Sequence, residues 1–223
     1  MSAGLAQRYL EAARVPASIP LGRFGDGWLL ERRKASETIL GELSLREQSL
    51  PFGEVGWPDY TLLRREGTMA GLHLEHGEVV MEDSRRELRK HLPIWMAARG
   101  RVLKTGLGLG CVVRGLLANP AVTHIDVVEI DADIIERCGA EFVGNPRVSL
   151  HHADAETWDY GKRSWDFAWH DLHSFDEEHL QVKHCRLMAR FLSAVAGGES
   201  GRQGAWAFPR PAGRVAKLLG APK

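Results

Sequence analysis

Between Leu21 and Asp83 the chain alternates apolar and polar positions in short runs broken by glycine turns. "DGWLLERRKAS", "YTLLRREG" and "AGLHLEHGEVVMED" carry the period of two expected of half-buried strands. In the last run "EHGE" predicts a turn between two strands, with His73 and Glu75 on one face and Leu72 and Leu74 on the other. Ahead of these, "MSAGLAQRYLEAARV" has the spacing of an amphipathic helix. Residues 1–83 are therefore expected to form an N-terminal helix plus a small β-rich region.

After Asp83 the period changes. Ser84 with Glu87 three residues on has the capping-box spacing, so "RRELRKHLPIWMAARG" is expected to be a helix ending at Gly100. Pro93 inside it predicts a kink or a second start. From Arg101 strand and helix alternate. "RVLKTG", "HIDVVEID", "RVSLHHAD", "SWDFAWHD" and "GAWAFPR" read as strands, and "GCVVRGLLAN", "ADIIERCGAEFV" and "DEEHLQVKHCRLMARFLSAVAG" as helices. Such alternation gives right-handed crossovers and a parallel sheet with helices on both faces. The fold class is α/β: a Rossmann-like, mostly parallel sheet over residues 84–223, preceded by the small β-rich region. Ligands of such sheets bind at the carboxyl ends of the strands.

Composition narrows this little. The 223 residues suffice for one ample domain with an appendage. Lysine plus arginine equals aspartate plus glutamate, 29 each, so no global field draws in a polyanion. There is no strong nucleic-acid signal, and "ERRK" and "SRRELRKH" read as solvated faces. No run is long and apolar enough for a membrane span or a signal peptide. Three scattered cysteines without a CxxC suit a reducing cytoplasm and argue against a disulfide framework or zinc ribbon. A homodimer is compatible with the chain.

The chemistry concentrates in "RVLKTGLGLGCVVRGLLANP". Gly106, Gly108 and Gly110 alternate between a strand and a helix, letting a ligand approach backbone N–H groups. The spacing is neither G-x-G-x-x-G nor that of a P-loop. Glu129 closes the next strand 19 residues after Gly110, where a carboxylate can accept from ribose hydroxyls. Asp154 and Asp171 follow the next two strands. The competing explanation is a helix cap for Asp154, and a helix cap or a loop acid for Asp171.

Taken together, "GLGLG", "VVEID", "HADA" and "DFAWHD" resemble the successive motifs of the class I S-adenosylmethionine-dependent methyltransferase fold, and within it the spermidine-synthase-like branch. The resemblance runs from about Gly77 to Ser174. It implies S-adenosylmethionine as cofactor. Gly106, Gly108 and Gly110 would line its amino-acid end, Glu129 would hold the ribose, and Ile130 would pack on the adenine. Asp154, with Ala155 beside it, would accept from the adenine amino group, and Asp171 would face the reacting groups as the catalytic residue. The acceptor is expected to be a small molecule or a protein.

The chain departs from the family at several places. Lys104 stands where many methyltransferases carry an acid near the cofactor's ammonium. Leu109 and Ser174 replace acids that hold amines in the polyamine branch, which argues against aminopropyl transfer. Only a short tail follows "GAWAFP", so the terminal antiparallel hairpin of the fold is expected to be absent or reduced. Methyl transfer to an unidentified acceptor is the leading expectation. The alternatives are a non-catalytic cofactor-binding or interaction module and, after that, an aminopropyltransferase. No metal site is expected: His170, Asp171 and His173 lack a metalloprotease pattern, and His179 and His184 splay around a helix. Trp158, Trp165 and Trp169 read as packing residues, as does Cys111.

Overall fold

The computed structural model describes residues 3–34, 57, 59–66, 68–69, 72–73, 78–172, 177–195 and 202–206. It divides into two compact units. One comprises residues 1–93 with 108–115, the other residues 94–107 with 116–223.

The first unit opens with α1 (Ala3–Ala13), whose Tyr9, Leu10 and Ala13 are buried. Strands β1 (Gly22–Phe24), β2 (Trp28–Lys34), β3 (Asp59–Arg65) and β6 (Glu78–Glu82) form an antiparallel sheet in the order β1-β2-β3-β6. β2, β3 and β6 fall in runs whose alternation predicts strands, whereas β1 does not, and Leu30 and Leu63 supply buried side chains. Two short strands, β4 (Thr68–Met69) and β5 (Leu72–His73), pair with each other. The residues between β5 and β6, including most of the expected "EHGE" turn, lie outside the described residues, and β6 pairs with β3. Buried Asp83 accepts hydrogen bonds from the amides of Val15 (2.8 Å) and Thr61, joining the end of the helical segment to the sheet. Burial is the main reason its pKa is raised.

Helix α2 (Arg85–Ala97) starts as its capping signal predicts, with Ser84 Oγ accepting from the Glu87 amide at 3.2 Å. The second start allowed for at Pro93 is absent, and one continuous helix runs through it. Leu88, Ile94 and Trp95 are all buried, and packing on both sides of the proline offsets the single lost backbone bond.

The second unit is built on β7 (Gly100–Thr105), β8 (Val122–Glu129), β9 (Val148–His152), β10 (Phe167–His170) and β11 (Gln203–Ala205). These five pair in parallel in the order β11-β10-β7-β8-β9. Counted along the chain that is 5-4-1-2-3, the doubly wound order with its switch point beside the first strand. Helices α3 (Cys111–Leu117), α4 (Ala132–Cys138) and α5 (Glu177–Phe191) link the strands. Gly139 ends α4 earlier than its apolar pattern suggests, and a 3₁₀ turn at Ala140–Phe142 follows. Leu103, Val128, Trp165, Ala168, Leu187 and Phe191 form the core of this unit. The segment after Trp206, where the terminal hairpin is in question, lies outside the described residues, as do Ser174 and His173.

Candidate functional site

Parallel register places the ends of four strands on one line. Thr105 pairs with Val128 on one side and His170 on the other, and His170 pairs with Ala205. One residue further along each strand stand Glu129, Gly106, Asp171 and Trp206. Backbone bonds hold this row together. The Gly106 amide donates to Val128 O (2.8 Å), Asp171 to Thr105 O (3.0 Å) and Trp206 to His170 O (2.9 Å). The row lies at the carboxyl edge, where doubly wound sheets bind ligands.

The glycines have the expected left-handed backbone, with φ of 77° at Gly106, 54° at Gly108 and 75° at Gly110. Gly106 is also sterically required, because a Cβ there would come within 2.0 Å of the Asp171 carbonyl oxygen. A Cβ on Gly108 would meet Met81 Sδ at 2.6 Å, and the same sulfur accepts from the Leu109 amide at 3.2 Å. Glu129 reaches back to the loop. Its Oε2 accepts from the Leu107 amide at 2.6 Å and its Oε1 from the Asp131 amide at 3.0 Å. Each oxygen uses one of its two acceptor directions there, so capacity for hydroxyl groups remains. Ile130 is 62% exposed beside it, and its carbonyl accepts from His152 Nε2. Asp131 caps α4 by accepting from the amides of Asp133 and Ile134.

Asp154 Oδ1 accepts from the Glu156 amide at 2.8 Å, a local turn contact. The Ala155 side chain is buried in the core cluster, so only its backbone can face a ligand.

Lys104 is 1% exposed. Its Nζ donates to Thr105 O at 2.9 Å and to Gly106 O, and lies 3.5 Å from Asp171 Oδ2. The ammonium that interrupts the family pattern is thus engaged by the chain's own oxygens. Thr105 Oγ1 lies 3.1 Å from His170 Nδ1, and His170 Nε2 lies 3.2 Å from Gln203 Oε1. The Leu172 amide donates to His184 Nε2 at 3.2 Å. Burial pushes His170 down to about 3 and His184 down to about 4, so both rings are neutral near pH 7.

The sequence brings Gly106, Glu129 and Asp171 into view and marks Lys104 as a departure, but it does not show that Lys104, Thr105, His170 and His184 are buried around Asp171. One signal for Lys104 is legible: a lysine in the apolar run "RVLKT" must be buried, and a buried lysine needs an acid. Trp206 lies within the strand expected over "GAWAFPR" but directly follows β11, which ends at Ala205.

No family model matches the chain. Curated relatives match over short stretches. The "Ribosomal RNA small subunit methyltransferase A" of Chromobacterium violaceum is 41% identical over 63 residues, 28% of this chain and 23% of that protein. The protein of the same name from Laribacter hongkongensis is 45% identical over 60 residues, 27% of this chain and 22% of its own length. These relatives are methyltransferases. The chain spans less than a quarter of their length. Among solved structures, the N-methyltransferase NodS of Bradyrhizobium japonicum overlaps 61% of this chain and 80% of its own at 14% identity and a TM-score of 0.43. The CcbJ methyltransferase of Streptomyces caelestis overlaps 49% of this chain and 45% of its own at 18% identity and a TM-score of 0.37. The class that the glycine loop and Glu129 resemble is thus the class of the relatives, and S-adenosylmethionine is its cofactor.

Proposed function

We propose that this chain transfers a methyl group from S-adenosylmethionine to an acceptor held at the carboxyl edge of the parallel sheet. The observation that carries the reading is the row Glu129–Gly106–Asp171, in which a carboxylate tied to the glycine loop and a second carboxylate flank Gly106, whose missing Cβ leaves room for the Asp171 carbonyl. The residues fit the cofactor. Glu129 retains acceptor capacity for ribose hydroxyls, and exposed Ile130 offers an apolar surface for the adenine. Asp154 would accept from the adenine amino group, beside the Ala155 backbone. Gly106, Gly108 and Gly110 let the amino-acid end approach backbone.

Bound S-adenosylmethionine supplies an activated methyl group on a sulfonium, so the protein's work is alignment and exclusion of water. Asp171 orients the acceptor by accepting its proton-bearing group, and Lys104 holds that carboxylate in place. Lys104 does not oppose the cofactor's ammonium, because its own charge is spent on Asp171 and two carbonyls. Aminopropyl transfer loses support at Leu109, which is fully buried where a substrate-binding acid would be needed.

For the acceptor, the names of the matching relatives favour ribosomal RNA over a small molecule or a protein. The balanced charge of the chain means that such recognition depends on local contacts.

The test is calorimetric titration of S-adenosylmethionine, with Glu129→Ala as control and a thermal melt of each protein. Transfer of labelled methyl groups to small-subunit ribosomal RNA follows. Binding by the wild type, lost in a variant that still melts cooperatively, supports the cofactor site. No binding by the wild type would overturn the proposal.

A further inference from the structure

The glycine loop is shared between the two units. Gly106 belongs with the parallel sheet, whereas residues 108–115 belong with residues 1–93. Within that first unit Leu109 is held at both ends of its backbone. Fully buried, it donates its amide to Met81 Sδ at 3.2 Å, and its carbonyl accepts from Arg114 Nη2 at 2.8 Å. Arg114 is buried too, and its Nε donates at 3.2 Å to the carbonyl of Ala13, the last residue of α1. Met81 lies in β6. The second half of the loop is therefore anchored by an antiparallel strand and by the end of the first helix.

A guanidinium on a carbonyl is a common, strong anchor. The thioether is not, because sulfur accepts weakly and a buried amide normally finds an oxygen. The sulfur also bounds the turn sterically. Gly108 has φ 54°, and a Cβ there would come within 2.6 Å of Met81 Sδ. A long unbranched side chain with a soft end can follow backbone this closely. Met81 thus takes the middle amide of the turn. Among the described residues the amides of Gly108 and Gly110 have no protein acceptor, so they are the donors left for an anionic group such as the cofactor's carboxylate.

We infer that Met81 is a positioning residue for cofactor binding: its thioether seats Leu109 and thereby sets the direction of the Gly108 and Gly110 amides. This rests on the methyl-transfer reading and gives the N-terminal β-rich region a task within it. Met81 acts through the loop backbone, by one hydrogen bond and one close packing contact.

The experiment compares the full chain carrying Met81→Leu, which keeps the bulk and removes the acceptor, with Met81→Gln, which restores an acceptor. Hydrogen exchange of the Leu109 amide is followed by NMR without cofactor, and S-adenosylmethionine affinity by calorimetry. Met81→Leu should speed the exchange and weaken the binding by about threefold to tenfold each, the size of one hydrogen bond. Met81→Gln should return both towards wild type, whereas a role in packing alone would make this polar replacement no better than leucine. In a second comparison, Gly108→Ala should weaken S-adenosylmethionine binding more in the wild-type background than in Met81→Ala, where the sulfur that meets the added Cβ is gone. That comparison decides the matter where Met81→Leu does not melt cooperatively. Unaltered exchange and affinity in Met81→Leu, no rescue by Met81→Gln, or an equal cost of Gly108→Ala in both backgrounds would overturn the inference. A wild type that binds no S-adenosylmethionine overturns the methyl-transfer reading and with it the cofactor role of Met81, and it registers separately from the exchange difference at Leu109.

Discussion

Lys104 Nζ lies 3.5 Å from Asp171 Oδ2, with the lysine side chain 1% exposed and the aspartate 19%. The two residues stand on neighbouring strands, and the same ammonium also holds the carbonyls of Thr105 and Gly106. The pair therefore ties the start of the glycine loop to the end of β10.

Removing both partners should cost less than the sum of removing each alone. Lys104→Met leaves Asp171 without this cation and two carbonyls without this donor, and should destabilise by about 2–4 kcal/mol. Asp171→Asn should cost less, since the carbonyl bonds persist. In Lys104→Met/Asp171→Asn the summed cost should shrink by about 1 kcal/mol or more, the mark of a coupled pair. Urea unfolding of the four proteins measures this, and strict additivity would show that the pair is not coupled.

Two left-handed glycines separate backbone strain from collision. Gly144→Ala, at φ 82° with nothing within 4 Å of the added Cβ, should cost about 1–2 kcal/mol. Gly106→Ala adds a clash with the Asp171 carbonyl, 2.0 Å away, and should cost clearly more and weaken S-adenosylmethionine binding. Thermal melts and calorimetry of both variants test the ranking. Equal costs would mean that the loop yields freely at Gly106.

Stability should fall on mild acidification. His170 and His184 titrate near 6.5 when unfolded but are held down to about 3 and about 4 when folded, with burial the chief cause. The unfolded chain then binds more protons, so stability is full above about pH 6.5 and is lost as pH falls towards the folded values. The slope in that window should approach two protons, about 2.7 kcal/mol per pH unit. His184→Gln should reduce it by about half. Denaturant midpoints at pH 4.5–7 give the slope, and an unchanged slope in the variant would remove His184 from the account.

A second acid transition belongs to Asp126. Burial alone would raise its pKa, but hydrogen bonds from His151, Trp165 Nε1 and Arg101 outweigh it and hold the carboxyl down to about 2. Its stabilisation, about 2 kcal/mol, is present above about pH 4 and disappears as pH falls through 2. Asp126→Asn should lower stability at pH 7 by about that amount and leave little further loss below pH 4. Equal acid dependence in wild type and variant would exclude the assignment.

Local spacing was enough for much of this protein. The period of apolar residues marks the five parallel strands and the helices between them. Ser84 with Glu87 marks the start of α2, and the glycine loop with Glu129 marks the carboxyl edge as the place for a ligand. These features arise within a few residues of chain, or from the fixed pitch of a strand or helix, so they can be read directly. What tertiary structure alone decided are the relationships across the sheet. Residues such as Lys104 and Asp171, or His170 and Gln203, are far apart in sequence and meet only through strand register. Ala155 turns its side chain into the core, and packing on both sides carries α2 through Pro93. Trp206 acquires its place beside Asp171 only because Ala205 pairs with His170. Register is set by the summed packing of whole strands, and that sum is not visible in any local pattern.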